Sequence, residues 1–486
     1  MNIENLLTKD IILAIDSIFA QKIDEQTVTL QATRKEFEGD VTLTVFAFTK
    51  FSKKSPEETA NLIGEYLLVN STLVEKYNIV KGFLNLVIKP SAWIDLLAAI
   101  SQTPNYGRKS ANGKKVMVEY SSPNTNKPLH LGHLRNNFLG FAVSNLFEAN
   151  GYEVLKANLV NDRGIHICKS MLAYQKFGKG ENPQSAGLKG DKLVGHYYVR
   201  FEQENKKLAE ILYQEFVQQG LITDDKTAEV HKEKAKMNTA LIKEAQEMLR
   251  KWEQGDETIV NLWKMMNGWV YEGFHATYKN IGVTFDKFYY ESNTYLLGKD
   301  VIEEGLQKGI FYRKDDNSVW IDLTNDKLDH KLVLRGDGTS VYITQDIGTA
   351  DLKYKDFPME KSLYVIGNEQ DYHMKVLKLI MQKLQRPYAN GMYHLSYGMV
   401  ELPSGKMKSR EGTVVDADDL VQELIDLAEQ KTQELGKVQE FSVEEKQKLY
   451  HALGLGAVKY FLLKVDPKKT MLFNPEESLE FNGDTA

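Results

Sequence analysis

Cysteine is almost missing from this 486-residue chain, with Cys168 the single example. That excludes an intrachain disulfide and any zinc site built on cysteines, and leaves a small buried hydrophobe as the expected role of Cys168. Long apolar runs are also lacking. No stretch reaches the roughly eighteen residues of a membrane span, and the opening Met1-Asn2-Ile3-Glu4 has no basic start of a signal peptide. A cytoplasmic protein without a membrane partner is expected. A surplus of positive charge is absent too. The chain carries 61 Lys+Arg against 67 Asp+Glu, a formal charge of -6, whereas proteins that grip nucleic acid usually carry a basic excess. Composition by itself does not point to nucleic acid, although these cations suffice for one basic face if the acids lie elsewhere. What is present, 42% hydrophobic and 26% charged residues, is ordinary for a globular chain of two to four domains.

The most informative stretch runs from Val116 to Gly140. Val116, Val118 and Tyr120 read as a strand, broken at Ser121-Ser122-Pro123-Asn124 because proline cannot donate to a ladder. Leu131, Leu134, Phe138 and Phe141 then recur at helical spacing, which predicts a helix beginning near Pro128 with His130 and His133 on one face of its first turn. Gly132 between them removes a side chain, so a flat ligand can lie against the backbone. The helix start offers unpaired N–H groups to a phosphate. Strand, turn, HxGH and helix describe a nucleotide pocket. A metal-binding histidine pair, or two ordinary surface histidines, remain alternatives at this point.

A second stretch narrows the choice. Gly405-Lys406-Met407-Lys408-Ser409-Arg410-Glu411-Gly412 is a glycine-bracketed loop with three cations in five residues, which taken alone reads as a solvated basic loop. Paired with the upstream HxGH, it resembles the HIGH and KMSKS signatures of class I aminoacyl-tRNA synthetases. Within that class the chain is similar to the arginyl-tRNA synthetases. The resemblance is carried by Val118 to Asn136, by Asp337 to Asp346, by Val365 to His373 and by Met407 to Arg410, in that order, and it extends over the whole chain.

That resemblance implies an α/β fold: a Rossmann-like parallel-sheet catalytic domain with a helical insertion, and an N-terminal α+β domain. It implies ATP as substrate with magnesium carried on it, no zinc, and L-arginine and tRNA(Arg) as the other partners of a monomer. His130, Gly132 and His133 would serve the nucleotide, with Asp162, Gly164, Met407, Lys408 and Ser409. Lys406, Lys408 and Arg410 would close over the β- and γ-phosphates. Because the loop reads Lys-Met-Lys-Ser, its second lysine is displaced from the class pattern, and Lys127 just before HxGH takes the position that substitutes for it in this family. Asp346 and Glu119 would hold the guanidinium, with Tyr342 shaping the pocket. Ser122, Pro123, Asn124, His133 and Gln370 would hold the amino and carboxylate end.

Along the chain, residues 1–105 read as an α+β unit that the resemblance makes a tRNA contact. It includes a strong helix start at Ser55-Pro56-Glu57-Glu58 and a closing strand from Val80 to Ile88. Residues 114–415 read as the catalytic domain. A strand from Val154 to Val160 completes a βαβ unit, and a mostly helical, charged insertion fills about 166–280. The sheet then resumes at Phe285, followed by a hairpin from Phe311 to Leu323, the segments Lys331–Arg335 and Val341–Ile347, and a buried strand from Leu363 to Gly367. Tyr342 and Asp346 are expected to face one cavity across a strand-to-helix turn. Residues 416–486 read as helices leading to an anticodon-binding bundle that this chain mostly lacks. A non-catalytic tRNA-binding protein of synthetase descent is the competing reading, and the intact HxGH, basic loop and Asp346 speak against it.

Overall fold

The computed structural model describes residues 3–401, 415–436 and 438–474. The chain divides into two compact units, Met1–Arg108 and Lys109–Ala486.

In the first unit the elements are α1 (Ile3–Phe19), β1 (Leu30–Ala32), β2 (Val41–Thr44), α2 (Thr49–Ser52), α3 (Pro56–Asn70), β3 (Val74–Val80), β4 (Phe83–Ile88) and α4 (Pro90–Gln102). The strands form an antiparallel sheet in the order β1-β2-β4-β3. Leu7, Ile11, Ile63, Leu67, Leu84 and Leu86 are sealed beneath it. Ser55 caps α3 by accepting from the Glu58 N–H while Glu58 reaches back to the Ser55 N–H, the reciprocal cap its spacing predicts. The single closing strand expected from Val80 to Ile88 is instead the second half of a hairpin. Lys81 and Gly82 both take positive φ, 50° and 78°, and a side chain at Gly82 would strike Pro56 at 2.6 Å.

The second unit opens with β5 (Lys115–Glu119), α5 (Leu131–Ala149) and β6 (Glu153–Val160). A helical stretch follows: α6 (Ile165–Phe177), α7 (Pro183–Ala186), α8 (Gly190–Gln218), α9 (Asp225–Met237), α10 (Ala240–Glu253) and α11 (Glu257–Ile281). Next come β7 (Lys287–Tyr290), α12 (Glu291–Thr294), α13 (Lys299–Gln307), β8 (Phe311–Arg313), β9 (Val319–Ile321), β10 (Lys331–Leu334) and α14 (Tyr342–Asp356). The last elements are β11 (Lys361–Gly367), α15 (Asp371–Lys383), β12 (Met392–Tyr397), β13 (Val400–Glu401), α16 (Ala417–Glu434), α17 (Val443–Leu463) and β14 (Met471–Leu472).

Five strands make one parallel sheet in the order β12-β11-β5-β6-β7. The first strand lies in the middle, with later strands added on both sides, so the crevice outside the carboxyl ends of β5 and β11 is a topological switch point, where such sheets place ligands. One core joins the sheet to α5, the helical insertion, α16 and α17, through Leu131, Leu134, Phe138, Leu193, Val270 and Leu424 among others. Gly140 lets α5 lie close to β5, since a Cβ there would sit 2.2 Å from the Tyr120 ring. Cys168 is buried, and burial pushes its thiol up to about 12, consistent with an inert apolar role.

Three expectations are corrected. The segment Lys331–Arg335 does not continue the parallel sheet: β10 pairs antiparallel with β9, and β9 with β8, in a separate three-stranded sheet. Val341–Ile347 is not a strand. Its β-branched residues favour one by propensity, but Ile343, Ile347 and Ala350 bury at helical spacing against the core around that small sheet, and tertiary packing overrides propensity. Finally, α5 begins at Leu131 and not at Pro128, because His130 remains extended (φ -134°, ψ 176°) as its N-cap.

Candidate active site

The HxGH turn is built from its own side chains. The His130 N–H donates to His133 Nδ1 at 3.1 Å, and the Gly132 N–H donates to His130 Nδ1 at 3.1 Å, so each ring satisfies a helix-start donor. The rings lie 4.0 Å apart. Burial, with the Lys127 charge nearby, lowers His130 to about 3, and burial with the charges of His130 and Lys127 puts His133 well below its usual value. Both imidazoles are therefore neutral at physiological pH. With Nδ1 accepting, the proton belongs on Nε2, which makes each ring a hydrogen-bond donor at its outer edge. A neutral donor suits a phosphate oxygen without adding a buried charge.

The loop before this turn is bent by two consecutive left-handed residues, Ser121 (φ 75°) and Ser122 (φ 44°), a conformation that costs L-residues of order 1–3 kcal/mol each. Amides hold it in place. Asn136 accepts from the Ser121 N–H and donates to the Val365 carbonyl, and Asn158 accepts from the Ser122 N–H at 3.2 Å. Asn161 exchanges backbone bonds with Pro123 and Thr125. The buried Ser122 Oγ has no hydrogen-bond partner. This loop thus stores strain beside the switch point, a common property of ligand-binding segments.

Behind α5, the wholly buried guanidinium of Arg135 donates to the Gly398 and Lys469 carbonyls at 2.7 and 2.9 Å. Backbone bonds run from the Leu131 N–H to the Val415 carbonyl and from the Ala417 N–H to the Leu129 carbonyl. The stretches on either side of residues 402–414 are therefore both tied to the HxGH helix. The basic loop, with Lys406, Met407, Lys408, Ser409 and Arg410, lies outside the described residues.

The acidic side is formed by α14 and the end of β5. Tyr342 opens α14 and Asp346 follows one turn later, so the two share a face by helical spacing and not across a strand-to-helix turn. Asp346 Oδ2 meets His373 Nε2 at 2.6 Å. Glu119 is paired inside the protein with Lys353, two turns beyond Asp346 on the same helix. Tyr364 lies with its ring 5.0 Å from the Lys353 ammonium. Burial raises Glu291, at the end of β7, to about 7, with Arg163 opposing that rise and Asp162 and Asp346 adding to it.

A cleft of about 680 Å³ opens at this end of the sheet. Asn124, Gly164, Glu291 and Tyr342 all line it, as does Arg163, whose guanidinium stacks 4.1 Å from the Tyr295 ring centre. His130, His133 and Asp346 are not part of that lining. Tyr342 is 79% exposed, and Gln370 is exposed just past β11. The Asp162 carboxylate is 1% exposed and accepts from the Tyr271 hydroxyl and from the Ser292 N–H and hydroxyl, at 2.7–2.8 Å, so its side chain braces the end of β6 against α11 and α12.

Sequence reading missed Lys353, Glu291 and His373. Helical phasing from Tyr342 would have put Asp346 and Lys353 on one face. The carboxyl end of β7 would have pointed to Glu291. Among the described residues no group of three His, Cys, Asp or Glu is placed to hold a metal, and no helix is long and apolar enough to cross a membrane.

Comparison with known proteins gives this geometry its context. Residues 95–474 match the catalytic domain of tRNA synthetases class I (R), and residues 5–88 match the arginyl tRNA synthetase N terminal domain. An arginine–tRNA ligase of Amoebophilus asiaticus is 58% identical over all of this chain and 79% of its own length. Another, from Phocaeicola vulgatus, is 57% identical over all of this chain and 80% of its length. Among solved structures, Thermus thermophilus arginyl-tRNA synthetase matches with a TM-score of 0.67 at 21% identity, covering 100% of this chain and 79% of that one. Arginyl-tRNA synthetase from Plasmodium falciparum gives 0.59 at 17% identity, covering 99% and 78%. The two solved structures speak to the fold, and the close relatives and matched domains to the family: the chain belongs to the class I arginyl-tRNA synthetases.

Proposed function

We propose that the crevice at the carboxyl ends of the parallel sheet activates L-arginine with ATP and then passes it to the 3'-terminal ribose of tRNA(Arg). In the first step an arginine carboxylate oxygen attacks the α-phosphorus and the bond to the β-phosphate bridging oxygen breaks, giving arginyl-adenylate and pyrophosphate. In the second, a terminal ribose hydroxyl attacks the activated carbonyl, loses its proton, and AMP leaves. Little covalent help is required of the protein. It must align the partners and neutralise charge that grows on the leaving pyrophosphate.

His130 and His133 donate from Nε2 to phosphate oxygens at the helix start, Gly132 leaves room for the nucleotide, and Gly164 keeps the entrance to α6 open. Lys127, Lys406, Lys408 and Arg410 meet the β- and γ-phosphates, where contacts that strengthen in the transition state raise the rate, and Met407 and Ser409 complete that side. Magnesium arrives with ATP. Asp346 is the charged partner of the guanidinium and Glu119, held by Lys353, the second carboxylate. Asn124, His133, Gln370, Ser122 and Pro123 hold the amino-acid end.

For tRNA, the N-terminal unit offers a small cleft of about 180 Å³ with Phe37 and Phe83 beside Arg34 and Lys81, a pairing of aromatic faces and cations that suits an unstacked base. A monomeric cytoplasmic enzyme fits this reading. The observation that carries it is the HxGH turn at the start of α5, whose two neutral histidines follow β5 beside the switch point of the parallel sheet. Arginine-dependent exchange of pyrophosphate into ATP, run with and without tRNA on this chain and on a longer one ending in a helical bundle, tests it. Exchange that needs arginine is expected, and exchange indifferent to the amino acid would remove the assignment.

A further inference from the structure

The start of α8, in the helical insertion, is fastened to the HxGH turn by a cluster of charges that the reaction itself does not use. Lys189, the residue before α8, is paired with Asp418 and lies 3.1 Å from the buried Asp191 carboxylate and 2.7 Å from Thr277 Oγ1 on α11. The Thr277 hydroxyl in turn donates to Asp418 at 3.0 Å. One turn on, Lys192 reaches Asp419 at 2.6 Å and Asp416 at 3.6 Å. Asp416 caps α16 by accepting from the Asp418 and Asp419 N–H groups. It also bridges His130 through the backbone bonds of its two neighbours.

The same helix supports the turn from a second side. A Cβ at Gly195 would lie 2.8 Å from the Pro128 ring, so the α8 backbone packs directly on the residues that lead into HxGH. Gly190 fixes the helix in depth, because a side chain there would meet the Trp269 carbonyl of α11 at 2.2 Å. The HxGH turn is therefore clamped between Pro128, resting on α8, and Asp416, held by the α8 lysines.

We propose that Lys189 and Lys192 are positioning residues for the adenylate-forming site, through which the helical insertion sets the geometry of the HxGH turn. Charge counting explains why the device is sensitive. Two lysines face four carboxylates, so removing either lysine does more than delete a contact: Asp191 then repels the acidic first turn of α16, and that turn carries the strand bridged to His130. The inference rests on the reading of HxGH as the nucleotide site. Its effect falls on ATP more than on arginine, since both histidines serve the nucleotide while arginine meets only His133 there and is held chiefly by α14.

Equilibrium binding of ATP and of arginine to the unmodified chain, Lys189→Met, Lys189→Arg and Lys192→Gln, followed by calorimetry, tests the proposal. Lys189→Met and Lys192→Gln are expected to weaken ATP about tenfold while arginine binding stays within twofold, and Lys189→Arg is expected to recover most of the loss. If Lys189→Met does not fold, Lys192→Gln decides, because the Lys192 partner Asp419 is largely exposed. ATP affinity within twofold of the unmodified chain in Lys192→Gln, or equal losses for ATP and arginine, would overturn the clamp. Pyrophosphate exchange on the same proteins keeps the two ideas apart: absence of exchange in the unmodified chain counts against the proposed reaction, while the ATP binding differences still judge the clamp.

Discussion

Glu119 at the end of β5 and Lys353 on α14 form an ion pair in which neither residue is more than 3% exposed. The pair joins the central strand to the helix that carries Asp346, and Tyr289 and Tyr364 flank the ammonium at 5.9 and 5.0 Å. A buried charge left alone is expensive, whereas a buried pair replaced by neutral groups of similar size often is not. Lys353→Met should therefore cost about 3–5 kcal/mol of stability, and Lys353→Met with Glu119→Gln should recover most of it. Urea denaturation of the three variants measures this. A double variant no more stable than the single one would show that the pairing is not what Lys353 contributes.

The contact between Asp346 and His373 occupies one carboxylate oxygen, one helical turn beyond Tyr342, which lines the cleft. With the other oxygen turned to a guanidinium, loss of the charge should be felt by the amino acid alone. Asp346→Asn is expected to raise the arginine KM by about a hundredfold, the scale of a lost charge-assisted hydrogen bond, and to change the ATP KM by no more than a few-fold. Parallel losses for both substrates would move Asp346 out of the amino-acid pocket.

Lys127 stands beside the two histidines and contributes to holding both of them neutral. If it meets the phosphates as charge builds on the leaving group, Lys127→Ala should slow adenylate formation on the order of a hundredfold with arginine affinity almost intact. Single-turnover measurements separate the two quantities. An unchanged rate would take Lys127 out of the chemistry.

The neutral histidines also tie stability to pH. In the fold His130 lies at about 3 against 6.5 for the free side chain, so the unfolded chain binds its proton first as the medium is acidified. Its contribution is fully present above pH 6.5 and is lost progressively as pH falls toward 3. By pH 5 the loss is about 2 kcal/mol from this one ring, at about 1.4 kcal/mol per pH unit. His130→Asn keeps a capping side chain and should lessen the drop in melting temperature between pH 7.5 and 5. An unaltered slope in the variant would mean that His130 is not held neutral.

The sequence showed the fold well where local chemistry and tertiary packing agree. The cap at Ser55 and Glu58, the β5–α5–β6 unit and the helix at Ala417–Glu434 could be read from spacing alone. It misled where packing won over local preference. Val341-Tyr342-Ile343-Thr344 is β-branched and aromatic, yet it opens a helix because Ile343, Ile347 and Ala350 must bury together. Pro128 offers a helix start, yet the turn stays extended to His130 because Leu129 and Leu131 are engaged by Val415 and Ala417, nearly 290 residues away in sequence. The candidate site residues were named from recognisable motifs such as HxGH, and Glu291, at a strand end outside any of them, was passed over. Lys353 shares a helix face with Asp346, but its partner Glu119 and those of Lys189 and Lys192 come from distant elements that no local pattern records.

One binding experiment bears most directly on the claim that the nucleotide turn and the acidic socket belong to a single crevice. A non-hydrolysable mimic that joins arginine to adenosine through a sulfamoyl linkage spans both halves at once, so its affinity should exceed that of arginine or AMP alone by several orders of magnitude. Asp346→Asn and His133→Asn should each weaken it substantially. Binding no tighter than AMP, with neither substitution having an effect, would contradict the account.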